Sequence, residues 1–216
     1  IKNINVGKSP DWLVHRLKLI GQKSVNNVVD IANYIMFDLG QPLHAFDYDK
    51  ILNNKIRVHK SKGGENVSLL DGSSIELKKS NIVISDDSNI IAIAGIMGCQ
   101  NSSVSTKTKN IIIESAIFDP ILIRKGSKGL GISTEASKRF ERGVDPKCVG
   151  LALDKMAKLV VESCGGHIHS RQVSINSISE EKNIEFRLIK CNKLLGTSLD
   201  SKKIENYLES LNIKYS

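Results

Sequence analysis

The chain has 216 residues, 40% of them apolar, enough to bury one sizeable core or one core plus a small appended unit, while two full domains would be crowded. No run of 18 uncharged apolar residues occurs, and the N-terminus lacks the pattern of a signal peptide, so membrane insertion and secretion are not indicated and a cytoplasmic location is expected. The formal charge of +8 favours a polyanionic partner, though a basic balance also marks an ordinary solvated surface, and aromatic residues at 5% argue against a stacking platform for single strands.

Ser9-Pro10-Asp11 predicts a helix start, with Ser9 as N-cap and Pro10 at the first helical position, and Gly21 stops that helix after Leu19. From Val25 to Leu39 the apolar residues recur at helical spacing up to Gly40. The pattern then changes. Between Ile51 and Ile113 short β-rich runs, Ile56–Val58, Val67–Leu70, Ile75–Leu77, Ile82–Ile84 and Ile90–Ile93, alternate with turns and read as hairpins. Asn110 to Glu114 reads as a further buried strand ending in a carboxylate, and Pro146 to Cys164 as a helix closed by Gly165-Gly166. The fold class is therefore α+β, a compact domain with mixed or antiparallel sheet and flanking helices.

The segment from Ser174 to Asn183 is polar and aperiodic, which places a linker at 176–183. Beyond it Ile184–Ile189 reads as a strand and Ser201–Leu211 as a helix, a short α/β tail too small to fold alone and so read as the beginning of another domain.

Four cysteines, Cys99, Cys148, Cys164 and Cys191, are too widely spaced for a CxxC metal or redox motif and read as free thiols. His44 follows a helix stop in what reads as a loop, where it either positions a water or substrate or is bonded to backbone. Asp47 and Asp49 nearby either orient its ring or cap the next turn. Gly95 and Gly98 permit close approach of a ligand to backbone, as ordinary turn glycines also do. Glu114, ending an apolar strand, is expected to be partly buried and to need a partner, either a lysine or a ligand hydroxyl.

The stretch from Gly129 to Asp145 lacks a P-loop pattern and a dinucleotide fingerprint, so a nucleotide triphosphatase is not indicated. Ser133 or Thr134 caps a helix carrying Lys138, Arg139 and Arg142. Six basic residues between Arg124 and Arg142 face only Glu135 and Glu141, so these cations either meet phosphates or form pairs within the helix.

In order along the chain, Asn27 to Tyr34 (NVVDIANY), Gln41 to Asp47 (QPLHAFD), Ala94 to Gly98 (AGIMG), Glu114-Ser115-Ala116, and Thr134 to Pro146 (TEASKRFERGVDP) together resemble the bacterial phenylalanyl-tRNA synthetase β subunit. Residues 1–175 look like its B3/B4 editing domain, and 184–216 like the beginning of its B5 domain.

The resemblance implies hydrolysis of the ester in Tyr-tRNA(Phe), made in error because an apolar pocket discriminates poorly against an analogue that merely adds a hydroxyl. On that resemblance Glu114 accepts the tyrosine hydroxyl, Gly95 and Gly98 shape the wall around the ring, and Thr134 and Ala136 line the same pocket. His44 and Asn33 stand near the scissile ester, and Lys138, Arg139 and Arg142 lie where acylated tRNA approaches. No serine or cysteine is placed as an obvious nucleophile, which favours direct attack by water with His44 as the candidate base. The implied partners are tRNA(Phe) and an α subunit in an α2β2 assembly. No cofactor is expected in this chain, since ATP and Mg serve the synthetic site of the α subunit. Three positions depart from the pattern: Ala32 replaces a threonine and so a pocket hydroxyl, Cys99 a glycine, and Ser133 an arginine. The Ala32 departure favours an alternative, a non-catalytic tRNA-binding or assembly module.

Overall fold

Asn26 opens the longest stretch of buried helix near the N-terminus because its side chain accepts from the Val29 amide, and Gly40, in the left-handed region, closes it. In the computed structural model, which describes residues 1–174 and 183–216, this helix is α2 (Asn27–Leu39), preceded by α1 (Asp11–Leu19). Ser9 does not cap α1; its hydroxyl donates to Asp30, buried in α2, at 2.5 Å, and Pro10 takes the N-cap position instead. Asp30 also accepts from the Ser24 hydroxyl and the Val25 amide, so one carboxylate ties the segment before α1 to the end of the α1–α2 connection.

The strands are β1 (Leu43–Asp47), β2 (Arg57–Lys60), β3 (Asn66–Ser68), β4 (Ser74–Glu76), β5 (Ile82–Ser85), β6 (Ile90–Ile93), β7 (Met97–Gly98) and β8 (Ile111–Ser115). The sheets among the described residues are antiparallel: a β1–β8 ribbon, a four-stranded sheet in the order β2-β5-β6-β7, and a β3–β4 hairpin. The segment around His44, expected as a loop, is thus a strand. Its partner lies roughly seventy residues downstream, and this long-range pairing overrides the local turn signal of Gly40-Gln41-Pro42.

Four further helices follow, α3 (Pro120–Leu130), α4 (Glu135–Phe140), α5 (Pro146–Cys164) and α6 (Leu188–Leu195), and then α7 (Ser201–Ser210). The Gly129-Leu130-Gly131 run, which carries no P-loop pattern, closes the last turn of α3. Asp119 caps the start of that helix, Gly131 caps its end in the left-handed region, and Gly126 survives inside it because a Cβ there would press on Asn81 and Ile96 at 3.1 and 3.2 Å.

The β1–β8 ribbon divides two cores. Alternate residues of a strand point to opposite faces; Ala45, Ile111 and Ile113 pack with the helical core of α1, α2 and α5, while Phe46 and Ile112 pack with the core beneath the four-stranded sheet. His44 and Glu114, one step further along the ribbon, share the face of Phe46 and Ile112, and the His44 and Phe46 rings meet edge to face at 4.5 Å. This alternation is what turns both polar side chains toward the sheet.

Two compact units emerge, Ile1–Val173 and Ser174–Ser216. The linker expected at 176–183 falls on 175–182, outside the described residues, except for Asn183. In the second unit the strand expected at Ile184–Ile189 is absent. Ile184 and Ile189 are exposed, no strand among the described residues pairs with them, and α6 begins at Leu188, ending at Gly196 in the left-handed region. A strand without a ladder leaves its backbone unpaired, whereas a capped helix satisfies its own. Among the described residues no helix is long and apolar enough to cross a membrane, and all four cysteines are free.

Candidate functional site

Glu114 and His44 occupy directly opposed positions in the β1–β8 register. They line a cleft of about 70 Å³ whose far wall is the β6–β7 turn with Gly95, Ile96, Met97 and Gly98, and whose rim includes Pro42, Ala136 and Phe140. Both polar side chains are only partly exposed. Burial raises the Glu114 carboxyl from 4.5 to about 7 and lowers the His44 imidazole from 6.5 to about 4. Near neutrality the ring is therefore uncharged, and the carboxyl is close to the midpoint of its titration.

His44 Nε2 is buried and has no hydrogen-bond partner, an arrangement that costs about 1–3 kcal/mol when unrelieved. Gly98 explains its position: a Cβ there would lie 2.7 Å from both Cε1 and Nε2 of the ring, so only glycine lets the imidazole sit against this strand. Gly95 has a different task. Its φ of 66° makes the tight turn, and a Cβ would meet Ile123, Phe118 and Phe140 at 2.9–3.0 Å, so the wall of the cleft is seated directly on the core.

The turn is held from the other side by α4. Thr134 donates its hydroxyl to the Ile96 carbonyl at 2.9 Å and accepts from the Ser137 amide at 3.0 Å, completing a capping box with Ser137. Thr134 thus fixes the wall without lining the cleft, while Ala136, two residues on, does line it. The capping role was legible in the sequence; its link to Ile96 was not. Neither were Pro42, Ile96, Met97 and Phe140 as lining, because apolar residues carry no chemical signature outside a known topology.

A second, wider cleft of about 670 Å³ lies over β2 and β5, but its charged and imidazole groups are largely engaged with neighbours. Arg57 bonds Asp87 at 2.7 Å, His59 meets the Ser85 hydroxyl at 2.9 Å, and Asp86 accepts from the amides of Leu52, Ser88 and Asn89. Chemistry, not size, favours the smaller cleft. Among the described residues no group of three or more His, Cys, Asp and Glu side chains is placed to hold a metal ion.

The B3/4 domain family model matches residues 1–165. The chain belongs to the B3/4 domain family. Its similarity to curated proteins runs through the whole sequence: it is 46% identical to the phenylalanine–tRNA ligase beta subunit of Protochlamydia amoebophila over 100% of this chain, 42% to that of Thermotoga maritima over 93%, and 40% to that of Clostridium tetani over 99%. The chain spans only 27%, 26% and 27% of those relatives, respectively.

The remaining expected site residues of this B3/4 domain are placed as follows. Asn33 is half-buried on α2 and is not part of the cleft lining. Ala32 is buried in the helical core and is not among the residues lining the cleft. Cys99 is buried in the sheet core, where burial raises its thiol to about 11 and makes it a packing residue. Asp47 does not orient His44: it caps the following turn through the Asp49 amide and accepts from Thr108 at 2.6 Å. Lys138 and Arg139 both pair with Glu135, at 2.8 and 2.9 Å, and the Arg139 guanidinium also lies 4.6 Å over the Phe37 ring. Arg142 is exposed and donates to the Lys138 carbonyl.

Proposed function

We propose that this B3/4 domain is the proofreading module of a phenylalanine–tRNA ligase β subunit and hydrolyses the aminoacyl ester of Tyr-tRNA(Phe). The observation that carries the reading is the opposed pair of His44 and Glu114 in one cleft, with His44 Nε2 buried and without a hydrogen-bond partner. A phenolic hydroxyl offers Glu114 both a donor and an acceptor. A phenylalanine ring would leave the buried carboxyl unpaired, which is the kind of difference worth about 10⁴-fold in selectivity.

Water is the nucleophile in this account. His44, neutral above about pH 4, has a lone pair available at physiological pH to accept a proton from that water or orient it, and the apolar wall of Ile96, Met97 and Phe140 limits competing solvent. The partners that follow are tRNA(Phe) and an α subunit in an α2β2 assembly, which would hold the ATP and Mg site, in the cytoplasm.

One observation favours a second reading, a non-catalytic tRNA-binding or assembly module. The cleft is about half the volume, roughly 150 Å³, of an engineered cavity that accepts benzene, and Nε2 is closed to solvent, so catalysis requires the wall to yield. Deacylation of Tyr-tRNA(Phe) by the assembled two-subunit enzyme, with Phe-tRNA(Phe) as control, separates the readings: selective loss of tyrosine supports proofreading, and a rate equal to the buffer blank supports the non-catalytic module.

A further inference from the structure

We propose that the outer face of α3 is a docking surface for the phosphate backbone of RNA, a partner that rests on the proofreading reading above. The helix is two-sided. Ile123 faces inward, where its Cδ1 would stand 2.9 Å from a Cβ at Gly95, so α3 supports the wall of the cleft. Arg124, Lys125 and Lys128 are exposed, and among the described residues none of them forms an ion pair. The helix itself contains no carboxylate, its N-cap Asp119 being engaged with the amides of Ile121 and Leu122.

The patch extends beyond one helix. Lys78 donates to the Gly129 carbonyl at 2.6 Å, which brings the β4–β5 connection, with exposed Lys78 and Lys79, against the end of α3. The helix dipole accounts for a cation in the last turn, where Lys128 lies, but not for Arg124 and Lys125. Arg124 and Lys128 are moreover like charges four residues apart, an arrangement that disfavours the free helix and is relieved by a polyanion. Of the cations singled out in the sequence, Lys138 and Arg139 share the Glu135 carboxylate, and Arg142 donates to the Lys138 carbonyl. With few aromatic residues in the chain, the chemistry favours sequence-independent backbone contact over base stacking.

The test uses the assembled two-subunit enzyme carrying Arg124→Gln, Lys125→Gln and Lys128→Gln together. A control enzyme carries Lys8→Gln, Lys18→Gln and Lys158→Gln, which removes the same charge elsewhere. The Kd for tRNA(Phe) is titrated against salt, and hydrolysis is followed on both Tyr-tRNA(Phe) and a tyrosyl-adenosine ester that has no phosphodiester. The α3 variant should weaken tRNA binding about tenfold and flatten the slope of log K against log salt by about 2, as loss of three phosphate contacts at roughly 0.7–0.9 each requires. It should leave tyrosyl-adenosine hydrolysis unchanged. An unchanged slope, or an equal loss in the control, overturns the assignment. If the unsubstituted enzyme hydrolyses neither ester, proofreading fails, yet the salt titration still decides whether α3 holds RNA.

Discussion

His44 stands directly opposite Glu114 across the β1–β8 ribbon, and burial acts on the two in opposite senses. Between about pH 4 and 6.5 the unfolded chain binds more protons at His44 than the native chain does, so this residue makes stability rise with pH. Between about pH 4.5 and 7 the native chain binds more protons at Glu114, so that residue makes stability fall. Their slopes oppose over the shared interval. Urea unfolding of the 216-residue chain should show Glu114→Gln with a steeper rise between pH 4 and 6.5 than the unsubstituted chain, and His44→Gln with a fall between pH 4.5 and 7. The same pH slope in all three chains would mean that burial does not shift these groups.

Gly98→Ala should impair hydrolysis more than stability. The new methyl would start 2.7 Å from the imidazole, and the rigid ring must turn or the strand must move. We expect a loss of at least tenfold in kcat for Tyr-tRNA(Phe), since small displacements of a positioning group are costly in rate, with about 1–3 kcal/mol lost on unfolding. An unaltered kcat would show that His44 is not held by this contact.

Asp30→Ala should destabilise the domain without reference to the cleft. It removes the acceptor shared by Ser9, Ser24 and the Val25 amide, so three hydrogen bonds to one carboxylate are lost and the buried Ser9 hydroxyl is left without its partner. A loss of about 3 kcal/mol is expected from urea unfolding, and Asp30→Asn should recover part of it. A loss below about 0.5 kcal/mol would indicate that the α1–α2 connection is held by packing alone.

Thr134→Val should loosen the wall of the cleft from a distance. It removes both the cap of α4 and the bond to Ile96, at a cost of about 1–2 kcal/mol. Hydrogen-exchange protection in the β6–β7 turn should fall, and Thr134→Ser should restore it. Protection unchanged in Thr134→Val would separate the cap from the turn.

The elements most legible in the sequence were those with helical spacing and a glycine stop, such as α2 ending at Gly40 and α5 ending at Gly165. What eluded local reading depended on distant partners. β1 becomes a strand because β8 exists, α3 tolerates Gly126 because Asn81 and Ile96 crowd it, and Ile184–Ile189 has no strand beside it among the described residues. Glu114 was recognisable as a half-buried carboxylate from the apolar run before it. That it faces His44 follows only from the ribbon register, and that Lys138 and Arg139 are paired follows only from the rotamers of α4.

The central claim, that Glu114 reads the hydroxyl of a misattached tyrosine, is tested most directly by deacylation with the assembled two-subunit enzyme. Rates for Tyr-tRNA(Phe) and Phe-tRNA(Phe) are compared between the unsubstituted enzyme and Glu114→Ala. The account predicts rapid, tyrosine-selective hydrolysis by the unsubstituted enzyme and loss of that selectivity in the variant, by about 10²-fold or more. Equal selectivity in both enzymes would contradict it.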